Sequence, residues 1–292
     1  MKKILCGILV CILMLSVAAC GSNQKPPIAS MSPEVSVEPT VPAATDVPTV
    51  APSQLPTAPV TETPAATQTP TPVESVTPEI LKLVINSDGT VSNGVVGGPA
   101  IESYGNKTVS VDAVTGLNVV TFPSKNSVYD VQIGDYYGDM GEAFSLEVYF
   151  KLDAIPADGY EGIAENCEAG GFGLYVFSDA SIKFYLNLEG SYAILTAPEK
   201  AQVGQWYHCV CVWDGDLLQM HMDGQLVDEY VSNCAYVTFP SANTAWYLSL
   251  AGCCSAGGHG AGGICGSMGI CNLYTTPLSA DQVSSIYQDL MQ

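Results

Sequence analysis

The carboxylates that come nearest to a catalytic pair are Glu147 and Asp153, six residues apart on one predicted strand. Hydrolysis of a glycosidic bond needs two carboxyl groups about 5 to 9.5 Å apart, one as acid and the other as nucleophile or base. These two lie about 20 Å apart, because each strand residue adds about 3.3 Å. The pair is therefore too widely separated for that chemistry, and we assign no catalytic residue.

The chain has three histidines, His208, His221 and His259, and their spacing alone leaves a Ser-His-Asp triad open. We expect His208 to be structural, because it lies within a predicted strand, and His221 to face solvent beside a hairpin. His259 lies in the glycine-rich stretch 255–263, which lacks the Lys and the Gly-Lys-Ser or Gly-Lys-Thr ending of a phosphate-binding loop. The Gly-x-Ser-x-Gly nucleophile elbow is also missing from the sequence. We therefore predict that the protein is not an enzyme.

The cysteines of the C-terminal part leave three interpretations open. They number eight, and outside the cytoplasm an even number suggests disulfides. Some occupy apolar strand positions and behave as small hydrophobes, whereas others bracket the glycine-rich stretch. A disulfide closing this loop is the first interpretation, free thiols the second, and zinc the third because Cys-x-x-Cys spacing is absent. The eight are Cys167, Cys209, Cys211, Cys234, Cys253, Cys254, Cys265 and Cys271.

A sugar-binding surface would use exposed aromatic rings that stack on pyranose faces. Four residues next to turns or loops are candidates for such ligand contacts: Tyr136, Tyr137, Trp213 and Trp246. Trp206, at the start of the predicted strand 206–213, is assigned to the core instead.

These side chains fall in a segment whose pattern predicts an all-β fold. Short runs rich in Val, Tyr and Phe, separated by Gly, Asp and Asn, are typical of strands. Asp214-Gly215 and Asp223-Gly224 predict hairpins, because Asp-Gly suits a type I′ turn. One helix is predicted after Ser279, where a capping box precedes apolar residues at helical spacing. The predicted strands are 144–150, 173–177, 182–188, 206–213, 217–222 and 226–231.

The charge of the chain excludes whole classes of partner. Residues 79–292 carry six Lys and 24 Asp or Glu, a net charge near −18, and the whole chain contains no Arg. Nucleic acids and anionic lipid surfaces need cationic patches. We therefore expect no nucleic-acid partner.

The first residues predict export and anchoring. Met1-Lys2-Lys3 precedes an apolar run, Ile4 to Val17, which is shorter than the about 20 residues of a membrane span. The segment Leu15 to Gly21 resembles the lipobox of bacterial lipoproteins. The resemblance implies a signal peptide over 1–19, lipidation of Cys20, and an extracytoplasmic, surface-displayed protein held at the cell membrane. Two acyl chains make such attachment durable.

A linker follows from Gly21 to Pro78, with 13 of the 19 Pro, ten Thr and no aromatic residue. Such a segment cannot bury enough apolar surface to offset its ordering entropy. We predict a disordered stalk over residues 20–78, whose 58 residues after Cys20 would reach on the order of 180 Å if fully extended.

The rest of the chain, 79–292, resembles the laminin G-like, concanavalin A-like jelly-roll domains of bacterial surface and secreted proteins. The resemblance rests on Gly204–Gly215 with its continuation Leu217–Val227, on the early strand Phe144–Asp153, and on the last strand with its helix, Gly266–Ser279. It implies two antiparallel sheets of six or seven strands packed face to face, with one short C-terminal helix.

Two properties of the relatives bear on chemistry. Glucanases with this fold carry a Glu-x-Asp-x-Glu strand, which this sequence lacks. Many members also carry an acidic residue in the last strand, where this chain has Gly266-Ser267-Met268-Gly269 instead. This departure weakens the case for calcium, which takes six to eight oxygens. A calcium site stays compatible with the loop carboxylates Asp88, Asp135, Asp139 and Glu142.

Taken together, these patterns predict a non-catalytic surface lipoprotein whose laminin G-like domain binds carbohydrate. A protein-binding adhesin or surface-assembly module with the same fold is the alternative. A glycan or a surface protein is the expected partner, and calcium is the one cofactor left open.

Overall fold

The computed structural model describes residues 73–167, 170–234, 236–240, 247–253 and 260–292. The predicted signal peptide, Cys20 and most of the predicted stalk lie outside the described residues, as do Trp246, Cys254 and His259. The elements are β1 (Leu81–Ile85), β2 (Val91–Asn93), β3 (Ile101–Tyr104), β4 (Thr108–Val111), β5 (Asn118–Phe122), β6 (Val128–Val131), a 3-10 turn (Gly134–Tyr136), β7 (Phe144–Leu152), β8 (Tyr160–Glu165), β9 (Phe172–Phe177), β10 (Ser181–Leu188), β11 (Ser191–Lys200), β12 (Trp206–Trp213), β13 (Leu217–Met222), β14 (Gln225–Val231), β15 (Leu248–Leu250), β16 (Gly266–Tyr274) and α1 (Ala280–Leu290).

The strands form two antiparallel sheets, as predicted. The first sheet has nine strands, in the order β14-β13-β12-β7-β16-β1-β2, with β5 also paired to β16 and β4 paired to β5. The second sheet has seven, in the order β11-β10-β9-β8-β15-β6-β3. The chain crosses repeatedly between the sheets, which is the connectivity of a jelly roll. The two sheets packed face to face agree with the jelly-roll sandwich that the resemblance implies.

The core lies between the sheets and is built from alternate residues of the facing strands. On β7, Phe144, Leu146 and Val148 point inward and are at most 1% exposed. Phe172 and Phe184 meet them from the second sheet, with the Phe144 and Phe172 ring centroids 4.9 Å apart. Because side chains alternate across a strand, the residues between these positions lie on the outer faces.

Two hairpins connect β12, β13 and β14. Asp223 and Gly224 have φ of 51° and 77°, the two positive values of the predicted type I′ turn. The Asp214-Gly215 hairpin also forms, but its connection runs through Asp216, and only Gly215 has positive φ. The Asp214 carboxylate holds this longer turn by accepting from the backbone N–H groups of Asp216 and Leu217.

Helix α1 covers the outer face of the first sheet. Ser279 caps it with the predicted capping box, which pairs its side chain and backbone with Gln282. Val283 is fully buried against Val210, Val212, Tyr274 and Leu278, which form a second apolar cluster. Val76, in the segment that leads into β1, packs on the same cluster. Among the described residues, no helix is long and apolar enough to cross a membrane.

Candidate functional site

The outer face of the second sheet carries a cleft lined by aromatic side chains. The cleft has a volume of about 180 Å³ and opens to solvent. We call it the aromatic cleft, and its lining residues are Tyr160, Cys167, Tyr175, Phe177, Tyr185 and Tyr192.

Strand alternation places these rings together. On β9, Leu174 and Val176 are fully buried in the core, so Tyr175 and Phe177 face the other way. Antiparallel pairing then sets Phe177 opposite Tyr160 on β8. The adjacent strands β10 and β11 add Tyr185 and Tyr192 in the same way.

Most of the neighbouring rings meet at steep angles, whereas Phe177 and Tyr185 lie 19° from parallel with centroids 6.2 Å apart. The planes of Tyr160 and Tyr175 cross at 83°, and those of Tyr175 and Tyr185 at 82°, with centroids 5.2 and 5.4 Å apart. Tyr185 and Tyr192 meet at 64°. Tyr160 and Tyr192 are 56% and 39% exposed and form the rim, whereas Tyr175 is buried at the base.

A glycine makes room for the base of the cleft. A Cβ placed on Gly173 would lie 2.6 Å from the Tyr175 hydroxyl and 2.7 Å from two of its ring atoms. The Tyr175 side chain therefore lies along β9 and covers Gly173, where any side chain would displace the Tyr175 ring. The shape of the cleft depends on this one missing side chain.

Polar groups border the rings. The buried carboxylate of Glu165 accepts from the backbone N–H of Cys167 at 2.6 Å. Burial, followed by the charge of Glu165, raises the pKa of Tyr175 well above its ordinary value, so its hydroxyl stays neutral. Burial also raises the pKa of Tyr192 to about 12, and its hydroxyl donates to the Gly170 carbonyl. The Lys183 ammonium lies 4.6 Å from the Phe177 ring centroid.

The predicted ligand contacts lie elsewhere, and two of them are buried. Trp213 is 1% exposed and points into the core, so its proposed ligand contact is wrong in this structure. Tyr137 is 9% exposed, stacks on Phe239 at 4.8 Å and accepts from the Asn166 amide. Tyr136 is half-buried and donates to the Gly97 carbonyl. Trp246 lies outside the described residues.

Trp206, assigned to the core from sequence, is half-buried on the outer face of the first sheet. It stacks on Tyr149 with centroids 4.4 Å apart, and the Lys151 ammonium lies 5.3 Å from its ring. The two tryptophans of β12 lie seven positions apart and so face opposite sides of the strand. Their faces are the reverse of those predicted.

The loop carboxylates do not converge. Asp135, Asp139 and Glu142 are exposed in the loop that precedes β7, and Asp88 lies in the turn between β1 and β2. Asp88 is engaged locally, because its carboxylate accepts from the backbone and hydroxyl of Thr90, and these bonds lower its pKa. No three His, Cys, Asp or Glu side chains in the described ranges are grouped to hold a metal.

The acidic position that relatives use in the last strand offers no ligand here. Gly269 occupies it, at a register shift in β16, and a Cβ on this glycine would lie 3.1 Å from the Tyr149 ring and from Val119. At this position, therefore, the chain lacks the carboxylate that the family pattern would contribute to a calcium site.

Glu147 belongs to a buried polar network under α1. Its carboxylate accepts from the Asn272 amide at 2.8 Å and from the Tyr274 hydroxyl at 2.6 Å, and it lies 3.0 Å from His208 Nε2. The His208 ring in turn stacks on Tyr287 of α1 at 5.8 Å. Glu147 is 1% exposed, so these partners, rather than a substrate, surround it.

His221 corrects another expectation. It was expected to face solvent, but it is 1% exposed on the outer face of β13, opposite Val210. This face is covered because α1 packs over the neighbouring strand. Burial lowers the pKa of His221.

The disulfide predicted around the glycine-rich loop does not form between its described cysteines. Cys253 and Cys265 carry free thiols, and burial raises the pKa of both. Two backbone hydrogen bonds between Cys253 and Ala261 close the loop instead. Cys209 and Cys211 share the inner face of β12 with their sulfurs 3.7 Å apart, as two buried thiols.

Comparison with known families places this architecture. The family described as the concanavalin A-like lectin/glucanases superfamily, in its laminin G form, matches residues 126–284. The chain belongs to this superfamily. The matched residues include the whole aromatic cleft and Glu147 with its three polar partners, His208, Asn272 and Tyr274. No curated protein sequence matches the chain.

Solved structures with the same fold include receptor-binding domains of botulinum neurotoxins, each 12% identical to this chain. One belongs to a type C neurotoxin whose cell entry is described as dependent on two ganglioside molecules, and its TM-score is 0.57. The match covers 74% of this chain and 52% of the neurotoxin chain. A type DC domain solved with rat synaptotagmin II has a TM-score of 0.56, covering 72% and 51%. The chain therefore spans about half the length of these domains, and the likeness concerns the fold.

Proposed function

We propose that this protein binds carbohydrate without transforming it, and that the aromatic cleft is the binding site. The observation that carries the proposal is the set of five aromatic rings on the outer face of the second sheet, with Tyr160 and Tyr192 exposed at the rim. Aromatic rings stack on the apolar faces of sugar rings, and tyrosine hydroxyls add hydrogen bonds at the edge.

The superfamily and its structural neighbours support this proposal. Lectins give the superfamily part of its name. One neurotoxin neighbour is described with gangliosides and another in complex with SialylT. A role without catalysis is supported by Glu147, the carboxylate closest to a catalytic position in sequence, because its side chain is held in a buried network.

A glycan array probed with the full chain tests the proposal. We expect binding that is lost when Tyr160→Ala and Tyr192→Ala are combined. Tyr230→Ala is the matched control, since Tyr230 is 45% exposed on β14 and does not line the cleft. Absence of binding to host, dietary and cell-wall glycans, with and without calcium, would overturn the proposal.

Protein binding is a second candidate, and a different surface favours it. Leu226, Tyr230 and Val231 lie on β14, which ends the first sheet, and are 45% to 69% exposed. A neurotoxin neighbour was solved with a protein receptor. In this case Tyr230→Ala would impair attachment to cells, whereas the cleft variants would not.

The proposed display of the domain rests on the first 78 residues. The lipobox resemblance at Cys20 and the Pro/Thr-rich composition support a surface lipoprotein whose stalk carries the domain away from the membrane. Metabolic labelling with a radioactive fatty acid tests this. We expect label in the wild-type chain and none in Cys20→Ser, which would be released or retained as an unprocessed precursor. Cys11→Ser, within the apolar run, is the matched control and should be labelled normally.

A further inference from the structure

We propose that the glycan held in the aromatic cleft carries an ammonium group, either a protonated amine or a quaternary ammonium, which sits among the rings. This inference deepens the proposed function and rests on it. It names the substituent that the cleft selects.

The angles between the rings are the first observation. A sugar face stacks on one flat ring, but the Tyr175 plane crosses those of Tyr160 and Tyr185 at 83° and 82°, so these rings form adjoining walls. Phe177 extends the Tyr185 wall, because the two planes lie 19° apart with centroids separated by 6.2 Å. A compact cation can contact several ring faces at once in such a box, and each face attracts it through the negative charge of the π system. The geometry therefore favours an ammonium over a second sugar ring.

The charge around the cleft is the second observation. Residues 79–292 have a net charge near −18 and no Arg, so the usual bidentate partner of a carboxylate or sulfate is absent. The carboxylate of Glu165 is buried next to the base of the cleft and contributes to the raised pKa of Tyr175. An anionic sugar would meet repulsion here, whereas a cation would be attracted.

Lys183 provides an internal example of the same contact. Its ammonium lies 4.6 Å from the Phe177 centroid, within the range of a cation–π interaction. Because the Lys183 charge occupies a ring of the cleft and repels another cation, a neutral side chain at this position should strengthen ammonium binding. The affinity for an anionic ligand would fall instead, so the effect of replacing Lys183 distinguishes a cationic from an anionic ligand.

Isothermal titration of the full chain compares hexamers of glucosamine and of N-acetylglucosamine, with choline chloride as a competitor. We expect the free amine to bind about tenfold more tightly than its acetylated counterpart, and choline to compete. Tyr185→Leu, which keeps an apolar side chain but removes the π face, should weaken binding of the amine about tenfold. Lys183→Gln should strengthen it severalfold, and Tyr230→Leu should leave it unchanged.

The outcomes separate this inference from the proposed function. Equal or tighter binding of the acetylated hexamer overturns the ammonium site and leaves carbohydrate binding intact. Weaker binding by Lys183→Gln also overturns it, because the lysine would then be serving an anion. Binding of choline without binding of any glycan overturns the carbohydrate proposal and supports the ammonium site. Circular dichroism of each variant shows whether a loss of binding reflects a loss of fold.

Discussion

Glu147 Oε1 lies 3.0 Å from His208 Nε2 in the middle of the first sheet, and both side chains are at most 2% exposed. Burial alone would raise the pKa of Glu147, but the hydrogen bond and charge of His208, with the bonds from Tyr274 and Asn272, lower it overall. Folding therefore favours the ionised form of the Glu147 carboxylate over the protonated form.

This network predicts a specific loss of stability in acid. Because the folded-state pKa of Glu147 is depressed, its contribution is present above the unfolded-state value of about 4.3 and is lost as pH falls through the folded-state value. Glu147→Gln should lower the free energy of unfolding at neutral pH by about 1 to 3 kcal/mol and should flatten its fall below about pH 4. Urea denaturation across this pH range measures both effects. Glu229→Gln on exposed β14 is the control, and an equal effect there would contradict the prediction.

Truncation of Trp213 should destabilise the fold far more than truncation of Tyr160, because Trp213 lies in the core and Tyr160 at the rim of the cleft. Trp213→Ala removes a side chain that is 1% exposed and should lower the free energy of unfolding by about 3 to 5 kcal/mol. Tyr160→Ala, at 56% exposure, should change it by less than about 1 kcal/mol. Chemical denaturation followed by circular dichroism distinguishes the two. Similar losses would show that the inward placement of Trp213 is wrong.

Gly173 should control ligand binding without controlling the fold. Gly173→Ala places a Cβ 2.6 Å from the Tyr175 hydroxyl, and the flexible end of this side chain can move away. We expect glycan affinity to fall about threefold to tenfold and the free energy of unfolding to change by less than about 1 kcal/mol. Gly138→Ala is the matched control, because a Cβ there meets nothing within 4 Å. Unchanged affinity in Gly173→Ala would argue against the position assigned to Tyr175.

Helix α1 should depend on its cap. Ser279→Ala removes the acceptor for the Gln282 N–H and should lower the free energy of unfolding by about 1 kcal/mol. Hydrogen exchange should increase in the first turn of the helix. Ser285→Ala, in the middle of α1, is the control and should leave exchange unchanged or slower, since alanine favours helix. Equal exchange in both variants would show that the capping box adds nothing.

The sequence predicted the sandwich through its local signals. Strands β12 and β13 begin and end where the apolar runs do, and the Ser279 capping box marks the start of α1. These features depend on neighbouring residues alone. Strands β2, β3 and β4 were missed because they are short and partly exposed, which leaves little apolar pattern to detect.

The candidate site was harder to predict, because it depends on which face of each strand is covered. On β12, Val210 and Val212 lie under α1 while Cys209 and Cys211 face the core, so the strand is apolar on both faces. The sequence of β12 therefore shows no alternation of apolar and polar residues that would indicate the inward position of Trp213. The spacing of Tyr175 and Phe177 was a usable signal, since two aromatic residues alternate there with core residues.

The way in which β1 joins the first sheet has a mechanical consequence. This strand lies between β16 and β2, paired on both sides, and its approach is tied by the Ile80 N–H to Leu273 and by the Glu79 carboxylate to the Thr275 N–H. Tension along the chain before Val73 would load these bonds in shear, so that many must break together. With a ligand held in the aromatic cleft, the same force ends there, so the load passes from β1 through the first sheet to the strands of the second.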